Sequence, residues 1–368
     1  MIKNKINSLQ FGSILVMMMM ASFLGTGFFS VVKAAGVDAY LSIIIAFLLG
    51  FIIIWAFLYL FNYEPDLPLN EKIIKLFGKR LGMVINLLFA LIALSMGLTS
   101  MFNLTNFITS QFLPETSVML IGFIFTFLVI LINIKGIETI SRTCLILITL
   151  NMVLYLIAVL GLIADFDVSN LKPFLEYGID RPLHGSIYIL GFNISPIFLL
   201  LMIPKNSLID GNKAKNFLIF FYILGMVLMF LVLFLTLGNL GIFLTSIYQY
   251  PEYIVLKNID LFQFIDRIEN ILTIQWIFGL FINLSMVVFF LSNLVKNNNK
   301  SKLLTILISV IILIISKTAF INNTIYNNYI YKYSLIFRIG IVFLLTIMVI
   351  KIFYNKFKAQ KAINTTEV

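Results

Sequence analysis

A chain of 368 residues that is 61% hydrophobic and only 11% charged is not composed like a soluble enzyme. The net charge of +10 would suit a nucleic-acid partner, but the basic residues sit in short segments between apolar runs, where they report on membrane topology instead. The single cysteine, Cys144, lies inside an apolar run, so there is no disulfide framework and the residue reads as a small core side chain.

Ten apolar runs follow one another, at roughly 9–33, 39–62, 82–110, 115–134, 140–164, 184–204, 215–243, 267–295, 302–317 and 335–354, and nearly all are long enough to cross a bilayer. The expectation is an all-α polytopic membrane protein of about ten transmembrane helices. It forms a single integral membrane domain over 1–368, with repeats at about 9–164 and 184–354 and a cytoplasmic tail at 355–368. The first run has a long polar start and no small-residue cleavage site after it, so it is helix one rather than a signal peptide. Placing the N-terminus in the cytoplasm puts 18 Lys and Arg residues inside and 8 outside, the latter including Lys33, Lys317 and Arg338. Both termini then face the cytoplasm.

Helix one carries "ASFLGTGFFSVVKAAG" at residues 21–36, with Gly25, Thr26 and Gly27 at its middle. Two glycines let the backbone unwind, which frees N–H groups suited to a carboxylate and carbonyls suited to an ammonium or a cation. The hydroxyls of Ser22, Thr26 and Ser30 stand nearby. Small residues at this spacing also let helices pack closely, and helix one alone leaves that alternative open. The inner stretch 64–81 reads as a short amphipathic interfacial helix, with Ile73, Ile74 and Phe77 on one side and Lys72, Lys75 and Lys79 around the other. Between helices four and five, Glu138 and Arg142 are four apart and can pair.

Helix six, "GSIYILGFNISPIFLLL", holds Gly191, Asn193, Ser195 and Pro196 near its middle, and the proline removes a backbone N–H. Interruptions in helices one and six, at matching positions of two five-helix halves, point to a ligand site where the halves meet. Thr99 and Asn103 on helix three and Asn283 on helix eight are candidates to face the same cavity, whereas most other asparagines in the spans read as interhelical ties. Asp266, Arg267 and Glu269 form a charged cluster before helix eight, and His184 an interfacial anchor before helix six. No nucleophile–base pair, carboxylate pair or metal cluster can be assembled, so neither an enzyme nor a cofactor is expected.

Several motifs together resemble the spore germination permease family, the B subunit of nutrient germinant receptors, within the amino acid–polyamine–organocation transporter superfamily. They are "FLGTGFFSVVKAAG", "LPLNEKIIKLFGKRLG", "KGIETISR", "FDVSNLKPFLEYG" and "LFQFIDRIENILTIQWI", in the family's order over most of the chain. The resemblance implies a LeuT-like, five-plus-five inverted repeat with broken helices one and six. It places the ligand region on Gly25, Thr26, Gly27 and Phe28, facing Phe192, Asn193, Ile194 and Ser195. It further implies a small-molecule germinant, typically an amino acid. The implied partners are an A-type subunit bearing soluble domains and a C-type lipoprotein subunit, in the lipid of the spore inner membrane and without nucleic acid. Departures from the family pattern are Val32 for its proline, Lys33 for its arginine, Asp266 for its glutamate, and no Gly-x-Glu in helix six. They leave the identity of the ligand open. An amino acid carrier of the same fold, ion- or proton-coupled, is the alternative; helix five has no mid-span lysine to serve as a coupling site.

Overall fold

The computed structural model describes residues 5–257, 269–294 and 301–366, and among them ten helices are long and apolar enough to cross a membrane. Helix α1 (Ser8–Ser22) opens on a capping box: the Asn7 side chain accepts the Gln10 N–H at 2.7 Å, and the Gln10 side chain accepts the Asn7 N–H at 3.0 Å. The chain unwinds over Phe23–Gly27 and resumes as α2 (Phe28–Ala35), so helix one is two half-helices. Gly36 turns the chain at φ 63° into α3 (Ala39–Asn62).

Helix α4 (Leu69–Gln111) joins the expected interfacial segment to the third span through one kink at Gly78, where φ is 78° and ψ 172°. Its amphipathic face differs from the expected one. Lys72 lies with the buried side, its ammonium donating to the carbonyls of Leu60 (2.8 Å) and Phe61 (3.4 Å), whereas Ile74 is exposed. The last carbonyls of α3 lack partners within their own helix, and a lysine reaching them outweighs its exposure to water.

The spans continue with α5 (Val118–Lys135), α6 (Ile137–Ala164) and α7 (Asp180–Ile189). Helix six is interrupted without any extended residue: α7 gives way to a π turn at Leu190–Ile194 and a 3-10 helix at Ser195–Met202, with Pro196 at its start. Then follow α8 (Ala214–Ile247), the short α9 (Pro251–Lys257), α10 (Glu269–Asn293), α11 (Ser301–Ala319), the short α12 (Asn323–Tyr329) and α13 (Leu335–Thr366). Helix α13 runs on through most of the stretch expected as a tail.

Burial sorts the bundle into centre and rim. The first span is 78% buried and the sixth 89%, against 33% for α5 and 28% for α11. The outer helices show Leu120, Phe123, Leu156 and Leu160 on their surfaces, a pattern that suits contact with lipid chains. Helix α1 packs on α6, α8 and α10 and touches the π turn of helix six, so both interruptions lie in the protein interior. Asn151 and Gln275 tie α6 to α10 by exchanging side-chain-to-backbone bonds, and Asn239 ties α8 to the Leu162 carbonyl, as expected of interhelical asparagines. Cys144 is fully buried with the Ser13 hydroxyl beside it.

Candidate ligand site at the helix-one break

Unwinding inside a membrane protein leaves backbone groups that must find partners. At the break Leu24 is extended (φ −59°, ψ 134°), and Gly25 takes φ 75° and ψ −97°, a conformation that side-chain-bearing residues rarely adopt. The Gly25 N–H donates to Oε1 of Glu252 on α9 at 2.5 Å. The Ala21 carbonyl accepts from the Trp276 indole on α10 at 3.0 Å, and the Met19 carbonyl accepts from the Asn193 amide of helix six at 3.1 Å. Three other elements therefore hold the break in place. The amide that the sequence reading offers to a ligand carboxylate is occupied by a carboxylate of the chain itself.

Glu252 is 2% exposed, its second oxygen has no partner, and burial pushes its carboxyl up to about 7. The segment around it forms an aromatic cover over the break: the Tyr250 and Tyr253 rings lie 4.9 and 5.7 Å from Phe107, which lies 4.5 Å from Trp276.

Two small cavities flank the unwound turn. One is bordered by Ser22, Thr99, Ser100, Asn103, Phe192 and Arg338, so helix one, helix three, helix six and α13 all contribute. The other is bordered by Gly25, Ser30, Gln249 and Tyr250 and shares Asn103 and Tyr326 with the first. Of the residues expected at the site, Ser22, Thr99, Asn103 and Phe192 line the first cavity and Gly25 the second. Gly27 and Asn193 face each other instead: a Cβ on Gly27 would lie 3.4 Å from the Asn193 amide and 2.6 Å from the Ser22 carbonyl. Phe28 is buried against Phe23 with ring centroids 5.7 Å apart. Gly191 abuts α13, where an added Cβ would come within 3.0 Å of Leu335. The Ser195 hydroxyl donates to the Gly191 carbonyl of its own helix, and the Asn283 amide donates to the Ser100 hydroxyl at 3.0 Å, tying α10 to α4. The side chain of Thr26 lies outside the described residues, as do Asp266, Arg267 and the side chain of Glu269. Glu138 and Arg142 do pair, at 2.6 Å, but the pair is partly exposed and contributes about 0–1 kcal/mol.

Glu252, Trp276, Tyr326 and Arg338 carry no local sequence signal of a place at the site. By its place in the sequence Arg338 falls with the outer charges, yet this residue is 4% exposed and lines the cavity. An arginine at the edge of an apolar run reads the same whether it turns to water or inward, so hydropathy could not find it.

The profile of the family described as "Spore germination protein" matches residues 5–324, most of the chain. The chain belongs to that family. Spore germination protein XB of Bacillus anthracis is 26% identical over 291 residues, covering 76% of this chain and 79% of that one. Spore germination protein KB of Bacillus subtilis (strain 168) is 22% identical over 282 residues, covering 73% and 74%. Among solved structures, the manganese transporter of Eremococcus coleocola bound to an aromatic bis-isothiourea compound superimposes with a TM-score of 0.59 at 14% identity, over 95% of this chain and 79% of that one. A variant of the same transporter gives 0.61 at 15% identity. At such identities the likeness is one of fold alone, and that fold is LeuT-like. This member of the spore germination family is thus a transporter-like membrane protein with ten candidate spans among its described residues, its two interrupted helices meeting at the centre.

Proposed function

We propose that the chain is the membrane-embedded B subunit of a nutrient germinant receptor. It resides in the spore inner membrane with both termini in the cytoplasm and acts with an A-type subunit and a C-type lipoprotein. A small nutrient enters the cavity between the helix-one break and helix six. By binding one arrangement of these walls better than another, it shifts the population toward the signalling state, since only differential affinity can move such an equilibrium. The observation that carries this reading is the cavity itself: a small space with polar walls beside an unwound turn, lined by Ser22, Thr99, Asn103 and Phe192. Membership of the spore germination family supplies the physiological setting.

The transporter-like fold favours a second reading, an amino acid carrier. Spores of the native host lacking this gene separate the two. The receptor reading expects loss of refractility in response to one nutrient class to disappear while uptake by growing cells stays intact. Normal germination with impaired uptake would assign the chain to transport.

A further inference from the structure

Arg338 sits one turn into α13, 4% exposed, and borders the cavity. One of its N–H groups donates to the Thr99 hydroxyl at 3.0 Å, and the guanidinium carbon stands 4.5 Å from the centroid of the Phe192 ring. Its Nε is buried with no partner. Among the described residues no carboxylate pairs with Arg338.

An arginine carries five N–H donors in a planar fork, and one hydrogen bond plus a ring face leaves most of them unused. A buried cation without a counter-charge is costly between membrane helices and by default marks a functional position. One donor freed by the helix-one break, the Gly25 amide, is already taken by Glu252. Phe192 covers one face of the guanidinium, while Ser22 and Asn103 border the same cavity.

We infer that Arg338 is the anion subsite of this cavity: it receives the carboxylate of the nutrient, and the rest of the ligand lies toward Ser22 and Asn103. The inference rests on the reading of the cavity as the nutrient site and adds a chemical class, since a sugar or a nucleoside offers no group to balance the charge. Ligand binding then joins α13 to helix one and helix six through one ion pair. A fork-shaped, paired contact also distinguishes Arg338 from a lysine at the same place.

The test is germination of native-host spores carrying the wild-type chain, Arg338→Gln, Arg338→Lys or Ser22→Phe. The panel is the common L-amino acids, each as free acid and as primary amide, with L-lactate, glucose and inosine. Wild-type spores should respond through this receptor to carboxylate-bearing compounds and not to the matching amides. Arg338→Gln should shift the effective concentration at least about 30-fold upward, as for truncating one member of a buried charge pair, with Arg338→Lys between the two. Equal wild-type responses to acid and amide, or unchanged sensitivity of Arg338→Gln spores holding normal amounts of the chain, overturns the subsite. Should Arg338→Gln not accumulate, the acid–amide comparison and Arg338→Lys decide. Failure of the underlying reading looks different, because Ser22→Phe, which fills the cavity, would then respond normally too. A Ser22→Phe block with an unaffected Arg338→Gln response leaves the cavity standing without its anion subsite.

Discussion

Gly25→Leu spores should hold normal amounts of the chain in the membrane and show no response to the nutrient. Two physical terms coincide at this position. A side chain at φ 75° and ψ −97° is strained by about 1–3 kcal/mol. The added Cβ would also come within 2.7 Å of the Trp276 ring, which is anchored by its own bond to Ala21. The break cannot keep its shape, and the walls beside Ser22 move with it. Insertion depends on the hydropathy of the span, which leucine raises, so the chain still reaches the membrane. Gly27→Leu should act alike, because its Cβ would lie 2.6 Å from the Ser22 carbonyl. Immunoblotting of spore membranes beside a refractility assay checks both. Normal sensitivity at normal abundance would remove the break from the nutrient site.

Replacing Glu252 by glutamine should change how stability depends on pH. Burial raises this carboxyl from 4.5 to about 7, so between those values the folded chain holds a proton that the unfolded chain has released. Stability is therefore fully present below about 4.5, falls as pH rises toward 7, and stays at its lower level above that. The loss is on the order of 3 kcal/mol. Glutamine keeps an oxygen for the Gly25 N–H and cannot ionise. Melting of the purified chain across pH 5 to 8 should show the wild type losing ground to Glu252→Gln as pH increases, with the two nearly equal at the acid end. Parallel curves would mean that Glu252 is charged throughout and balanced by a group not paired with it here. Glu252→Ala, by contrast, leaves the Gly25 amide buried without an acceptor and should lie about 1–3 kcal/mol below Glu252→Gln at every pH.

The scaffold was readable because its signals are local. Runs of apolar residues fix the spans, glycine pairs weaken helix one, and Gly191 with Pro196 disturbs helix six, all within a few residues of the effect. What completes the site is not local. Glu252 meets Gly25 from 227 residues away, Trp276 meets Ala21 from 255, and Arg338 meets Thr99 from 239. Nothing beside these residues in the chain announces their partners. The place of Lys72 and Arg338 between spans also puts both among the charges at the membrane faces. Each turns inward, Lys72 because α3 leaves carbonyls open and Arg338 because the cavity beside Thr99 admits it. The glycine-rich break was thus legible, whereas the charges that meet it were not.

Binding of a nutrient against the helix-one break should be visible in the fluorescence of Trp276. The chain has two tryptophans, and Trp55 lies exposed far along α3, so a Trp55→Phe chain reports from the break alone. The purified full-length variant is titrated with the nutrient whose response the gene deletion removes, and binding is followed in parallel with that nutrient in radiolabelled form. Trp276 emission should change saturably, with the same midpoint as binding. Saturable binding with unchanged emission would contradict binding at the break and place the nutrient elsewhere in the bundle.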